Sequence, residues 1–165
     1  METVQTSRVS AIIVLFDMQT TFFANAIEGI SDEDTHNRLN TQANHIAWLA
    51  GSAVHARFDT AGHLGSGEEN ETAGELFRDN KGIQESTVYP SLAAYKSDWE
   101  KITPILRKAL IETTDEVLDK KIEMGPGLSM SIFELISFVI YREANLIGQI
   151  ALWRRLLGYP GMKYM

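Results

Sequence analysis

The chain predicts an all-α fold: a four-helix bundle with one long crossover loop between its second and third helices. Three observations lead there. Four segments repeat apolar residues at three- and four-residue steps. Glycine, proline and short polar capping residues fall between those segments. A breaker-rich stretch at 65–89 separates the second from the third, and the whole makes one domain spanning 1–165.

The first helix is expected from Arg8 to Glu28, with Val9, Ile12, Ile13, Phe16, Phe23 and Ile27 on its stripe and Leu15 and Phe22 widening it. Gly29 ends it, and "SDEDTHN" supplies a turn with several N-capping residues. The second helix is expected from Asn37 or Leu39 to Gly62. One face carries His45, Trp48, Leu49, Ser52, His55, Ala56 and Asp59, with Ser52 two turns beyond His45 and His55 one turn further.

The stretch "GSGEENETAGELFRDNKGIQESTVY" has no sustained period. It reads as a plain crossover or a lid, with a short helical turn at "AGELF". Pro90 and Ser91 open the third helix, whose stripe is Leu92, Tyr95, Trp99, Ile102, Leu106 and Leu110. Pro104 lies inside that stripe and predicts a kink or a break. "EMGPG" stops the chain before the last helix, expected from about Ser129 to Leu157. That helix is apolar on nearly all sides, so it is buried centrally or docked to a partner on a second face; Gly158 and Pro160 end it.

Composition narrows the classes. Apolar residues make up 44% and charged residues 22%, ordinary globular values. A net charge of -7 without a basic run argues against nucleic acid. The absence of cysteine excludes disulfides, thiolate metal sites and a cysteine nucleophile in the chain itself. "METVQTSRVS" lacks the pattern of a signal peptide, and "AIIVLF" and "LISFVIY" are shorter than the ~20 residues that span a bilayer. The expectation is a cytoplasmic protein with no membrane partner.

Two stretches carry a family likeness. "HIAWLAGSAVHARF" at 45–58 and "YREANLIGQIALWRRLLGYPGM" at 141–162 resemble the DinB/YfiT-like superfamily of four-helix bundles. "GISDED", the "LF" and "YPSL" before the third helix, and the Gly-Gln and Arg-Arg-Leu-Leu-Gly ending extend the likeness over the chain. The resemblance implies a relation to metal-dependent enzymes, several of them transferases that work with thiols such as bacillithiol or mycothiol. Typical members hold the metal through three histidines, one in a pattern like W-x-x-G-H and two in a pattern like H-E-x-x-H-x-G-Q. Histidines at i and i+4 converge on one ion, and a third from a facing helix leaves positions open for water or thiolate.

Here Trp48, Gly51, Glu143, Gly148 and Gln149 match that frame, while the three ligand positions hold Ser52, Arg142 and Leu146. Leucine cannot ligate, arginine stays protonated, and a lone hydroxyl is a poor ligand for a divalent ion. No metal and no other cofactor is expected. His45 and His55 are nearly three turns apart on one helix, too far to share an ion, and they read as surface or satisfied interior histidines, as do His36 and His63.

Arg142 reads two ways: an anchor for a carboxylate, phosphate or thiolate, or a plug paired with Asp59 or another acid. Glu143 reads as a general base or as a structural carboxylate. Gln149, nearly in line with Arg142, lines the same pocket or ties helices together. Trp48, Trp153, Tyr141 and Tyr95 read as core or pocket walls, and Arg154 and Arg155 as complements to the helix dipole.

Two functions follow as expectations. One is a metal-free descendant that binds a small anionic or thiol-containing ligand, or a partner, in the remodelled pocket. The other is a thiol-dependent transferase-like or hydrolase-like enzyme using a relocated metal or Arg142 as electrophile, with His55, Glu143 and Gln149 as participants. The apolarity of the first and last helices predicts a homodimer.

Overall fold

The computed structural model describes residues 4–68 and 70–164; residues 1–3, 69 and 165 of the expected domain, including the start of the N-terminal stretch, lie outside the described residues. The chain is mostly helical, with one small hairpin. Four long helices form its body: α1 (Ser10–Ile27), α2 (Ile46–His63), α4 (Leu92–Glu112) and α6 (Ile132–Leu156). Between them lie the short helices α3 (Gly74–Phe77) and α5 (Asp115–Leu118) and the strands β1 (Lys121–Gly125) and β2 (Leu128–Ser131).

Residue contacts fix the directions of the long helices. Arg8 lies over the Phe133 ring, and Arg154 reaches the carbonyls of Ala26 and Glu28, so α1 and α6 run parallel. Gly51 meets Tyr95 and Arg57 meets Thr103, so α2 and α4 also run parallel. Arg107 bonds Asp17 while Trp99 bonds Thr20, and Arg142 bonds Ser52 while Trp153 bonds Asn44, so α1–α4 and α2–α6 run antiparallel. Parallel neighbours cannot be joined by a tight turn. The crossover from α2 to α4 must return the length of a helix, which explains why it is long.

That crossover is docked. Asp98 accepts the Thr72 N–H at 2.7 Å, and Lys101 Nζ donates to the Asn70 carbonyl at 2.7 Å. Phe77, at the end of α3, lies over Gly51, where a Cβ would collide with its ring and with Tyr95 Oη. Gly51 is therefore explained by close packing of the crossover on α2. The short helical turn expected at "AGELF" is α3.

Several boundaries differ from expectation. α2 starts at Ile46, because Leu39 and Asn40 take positive φ and His45 is its N-cap, accepting the Trp48 N–H on Nδ1 at 3.1 Å. α4 runs unbroken through Pro104. Pro104 and Glu100, whose carbonyl loses its helical partner, both face solvent, so the lost bond is not buried. The "EMGPG" stop is the turn of a hairpin, with Lys121 opposite Ser131 and with Gly125 and Gly127 at positive φ. α6 then begins at Ile132 rather than Ser129, behind a capping box between Ser131 and Glu134.

The inward faces bury Phe16, Phe23, Ile46, Leu49, Trp99, Ile102, Ile136 and Ile150. α6 is not buried all round: Phe138, Tyr141, Leu152 and Leu156 are exposed, as are Val14, Leu15 and Met18 of α1. Counted as helices instead of uninterrupted runs, Ser7–Ile27 and Ile132–Leu156 are long and apolar enough to cross a membrane by length and composition.

Candidate functional site

The structure separates two neighbouring residues of α6. Glu143 points to the centre of the molecule and is 1% exposed. There Arg57 of α2, 0% exposed, donates to it through Nε at 2.7 Å and Nη2 at 2.9 Å. Nη1 of Arg57 donates to Thr103 Oγ1 at 2.8 Å and Thr20 Oγ1 at 3.0 Å. The guanidinium lies 3.5 Å from the Trp99 ring centre and 4.0 Å from that of Phe16. One cation thus ties together all four long helices.

Of the two readings of Glu143, this position fits the structural carboxylate and not the candidate base. Both of its oxygens face Arg57 in the core, where no substrate reaches them. Arg57 was missing from the candidates altogether. Its signal was the inward stripe Ile46, Ala50, Ala53, Arg57, Ala61, a helical spacing in which one charged residue demands a buried acid.

Arg142, the preceding residue, points elsewhere. Its Nη2 donates to Ser52 Oγ at 2.7 Å, joining two of the three positions that the family likeness assigns to metal ligands. The expected ion pair with Asp59 is not formed: Asp59 is exposed and lies 3.7 Å from His63. Among the described residues no carboxylate pairs with Arg142, and burial alone holds its pKa below the usual arginine value. Leu146, at the third position, is 4% exposed and belongs to the apolar core.

These residues do not fit a divalent cation. A guanidinium occupies the position and a leucine closes it, and among the described residues no group of three or more His, Asp or Glu side chains is placed to hold a metal ion.

The remaining candidates scatter around this point. Trp48, one turn before Ser52 on α2, is half-buried against Phe77, and its Nε1–H is buried with no hydrogen-bond partner among the described residues. His55 places Nδ1 3.0 and 3.1 Å from the two carboxylate oxygens of Glu71, a crossover residue, and stacks on Phe77. Gln149 is exposed and donates to Asn145 at 2.6 Å on the outer surface of α6.

His45 serves as the cap of α2. Burial, with the positive charges of His36 and Arg38 nearby, pushes its pKa down to about 4, so it stays neutral and keeps its acceptor nitrogen. Arg154 also differs from expectation. It is buried and donates to the carbonyls of Ala26, Glu28 and Pro160, which caps the C-terminus of α1 rather than its own helix.

No family model and no curated protein sequence matches this chain.

Proposed function

We propose that the chain is a cytoplasmic, homodimeric four-helix bundle of the DinB/YfiT-like kind whose former metal position binds a small anion. Arg142 is the anchor. The observation that carries this reading is a half-buried guanidinium whose sole described partner is the neutral hydroxyl of Ser52. A carboxylate, phosphate or thiolate arriving there gains a charge-assisted bond. The Ser52 O–H and the unpartnered Trp48 Nε1–H, on the same face of α2, are further donors for it.

The test is calorimetric titration with mercaptoacetate, propionate and inorganic phosphate on the wild type and on Arg142→Met. At least one anion is expected to bind the wild type, with a loss of tenfold or more, about 1.4 kcal/mol, in the variant. Binding by neither protein, or equal binding by both, ends the proposal. The homodimer rests on the exposed apolar residues of α1 and α6, and light scattering that gives a monomer mass removes it.

A second reading keeps an enzyme, and one arrangement favours it. With Glu71 holding Nδ1–H, the His55 ring presents Nε2 as a proton acceptor, the orientation a general base needs. Glu143 and Gln149 take no part. His55→Gln should abolish thiol transfer to an electrophile such as chlorodinitrobenzene; a rate unchanged by that substitution excludes it.

A further inference from the structure

Between Thr72 and Tyr89 the crossover buries only Ala73 and Phe77. Its polar anchors to His55, Asp98 and Lys101 all fall at residues 70–72, before α3 begins. Phe77 is the one residue that the four-residue helix α3 buries. A single turn has little helical stability of its own. Asp79 and Asn80 behind it both take positive φ, a conformation that costs a residue with a side chain. α3 is therefore a strap held down chiefly by one ring.

That ring fills an aromatic box. It stacks on His55 at 6.0 Å, with the rings of Trp48 at 6.1 Å and Tyr89 at 5.9 Å. The floor is Gly51. A Cβ there would strike both the tip of the Phe77 ring and the Tyr95 hydroxyl, so ring tip and hydroxyl meet over the glycine. Glycine weakens a helix interior, and here it makes the room that the ring takes up. Tyr95 is 1% exposed, and its Oη has no hydrogen-bond partner among the described residues. Burial, with Tyr89, Glu71 and Asp98 nearby, holds its pKa above the ordinary phenol value, so the hydroxyl stays protonated. A buried hydroxyl left unpaired is costly, and native structures pair nearly all of them. Phe77 has no polar side-chain atom, so it covers the hydroxyl without satisfying it. A ring of similar size carrying a polar group would do both.

We propose that this box is a binding site for a small uncharged aromatic molecule with one hydrogen-bonding group, and that Phe77 is its built-in plug. The ligand lifts α3, takes the place of the Phe77 ring and bonds Tyr95 Oη. Aromatic walls supply apolar contact and the one hydroxyl sets orientation, the usual division of work in a small-molecule site. The carboxylates of Glu71 and Asp98 near Tyr95 disfavour an anion, which sets this box apart from the position of Arg142. While Phe77 is in place the hydroxyl is sealed, so the ligand binds only the lifted state and raises its population.

The experiment uses the full chain with phenol and toluene, two probes alike in shape that differ by one hydroxyl. Amide hydrogen exchange is the readout. The Leu76 amide, bonded to the Ala73 carbonyl, reports the strap, and the Ile147 amide, in the interior of α6, reports the bundle. Calorimetry on Phe77→Ala gives the Kd of the emptied box, expected to be roughly fivefold lower for phenol than for toluene, the effect of one hydrogen bond to a buried group. On the wild type, phenol at about ten times that Kd should speed exchange at Leu76 by about tenfold and leave Ile147 unchanged, because a ligand of the lifted state adds to its population. Toluene at the same concentration should speed it less. Tyr95→Phe removes the unpaired hydroxyl and keeps the ring, and it should erase the preference for phenol. If Phe77→Ala does not fold, a concentration series of both probes on the wild type decides alone. The proposal is overturned by no binding to a folded Phe77→Ala, by no acceleration at Leu76, by equal effects of the two probes, or by a preference that survives Tyr95→Phe. Acceleration at Ile147 to the same extent also overturns it, since the probe is then loosening the whole fold.

Discussion

Arg57 of α2 and Arg142 of α6 make an instructive pair, because the same side chain meets two opposite environments. Arg57 is wholly buried and well matched, with a bidentate carboxylate, two threonine hydroxyls and two aromatic rings against its guanidinium. Arg142 is half-buried and under-matched, with one hydroxyl and no acid among the described residues. A buried cation bonded through all three of its nitrogens organises a fold and leaves little for a ligand. A desolvated cation with spare donors is a feature that stability alone would not select. The difference lies in the unused hydrogen-bonding capacity and not in the residue type.

The sharpest break of this comparison is at its buried half. Glu143→Gln and Arg57→Met each leave one uncompensated partner in the core, and each should lower stability by about 3–5 kcal/mol in urea denaturation. The double replacement of both by methionine should recover much of that loss, because it removes the buried charges together. A loss below about 1 kcal/mol for either single change would mean that the pair is not the organising centre of the four helices.

The same contrast explains how far the sequence could be read. Helix positions followed from apolar spacing, and Ser91, Gly29 and Gly158 marked ends where the structure has them. The hairpin escaped notice because β1 and β2 are short and mostly exposed, so no apolar alternation marks them. The start of α2 escaped because its cap is a histidine, outside the usual capping set. At the site, the nearness of Ser52 and Arg142 was legible from the family frame, but their direct bond was not. Glu143 was legible as a conspicuous acid whose role stayed open, since its partner Arg57 lies 86 positions away and periodicity does not report pairs between helices. His55 had the same difficulty: Glu71 belongs to the crossover, where spacing carries no information.

His45 adds a third buried base to the comparison, one that avoids charge instead of matching it. Its ring titrates near 6.5 when unfolded and near 4 when folded, so between those values the unfolded chain binds more protons. Stability should therefore be full above about pH 6.5, fall as pH drops toward 4, and level off below, with an amplitude of about 3 kcal/mol. His45→Asn keeps an acceptor at the N-cap without a titrating ring, and its melting temperature should lack that part of the slope. Parallel pH curves for the two proteins would show that His45 does not contribute.

The smallest effect on stability is expected at Arg142, and it is the most informative. Were this guanidinium a structural tie like Arg57, Arg142→Met would cost several kcal/mol. With one neutral partner and partial desolvation, its loss should change stability by no more than about 1 kcal/mol in either direction. Ser52 would then lose an N–H donor yet keep a hydroxyl that can turn to a neighbouring carbonyl. A near-neutral stability change together with a lost anion response separates ligand binding from scaffolding, because a scaffold residue cannot be removed without cost. A large destabilisation would place Arg142 with Arg57, as a tie between α2 and α6, and leave the proposed anion site without an anchor.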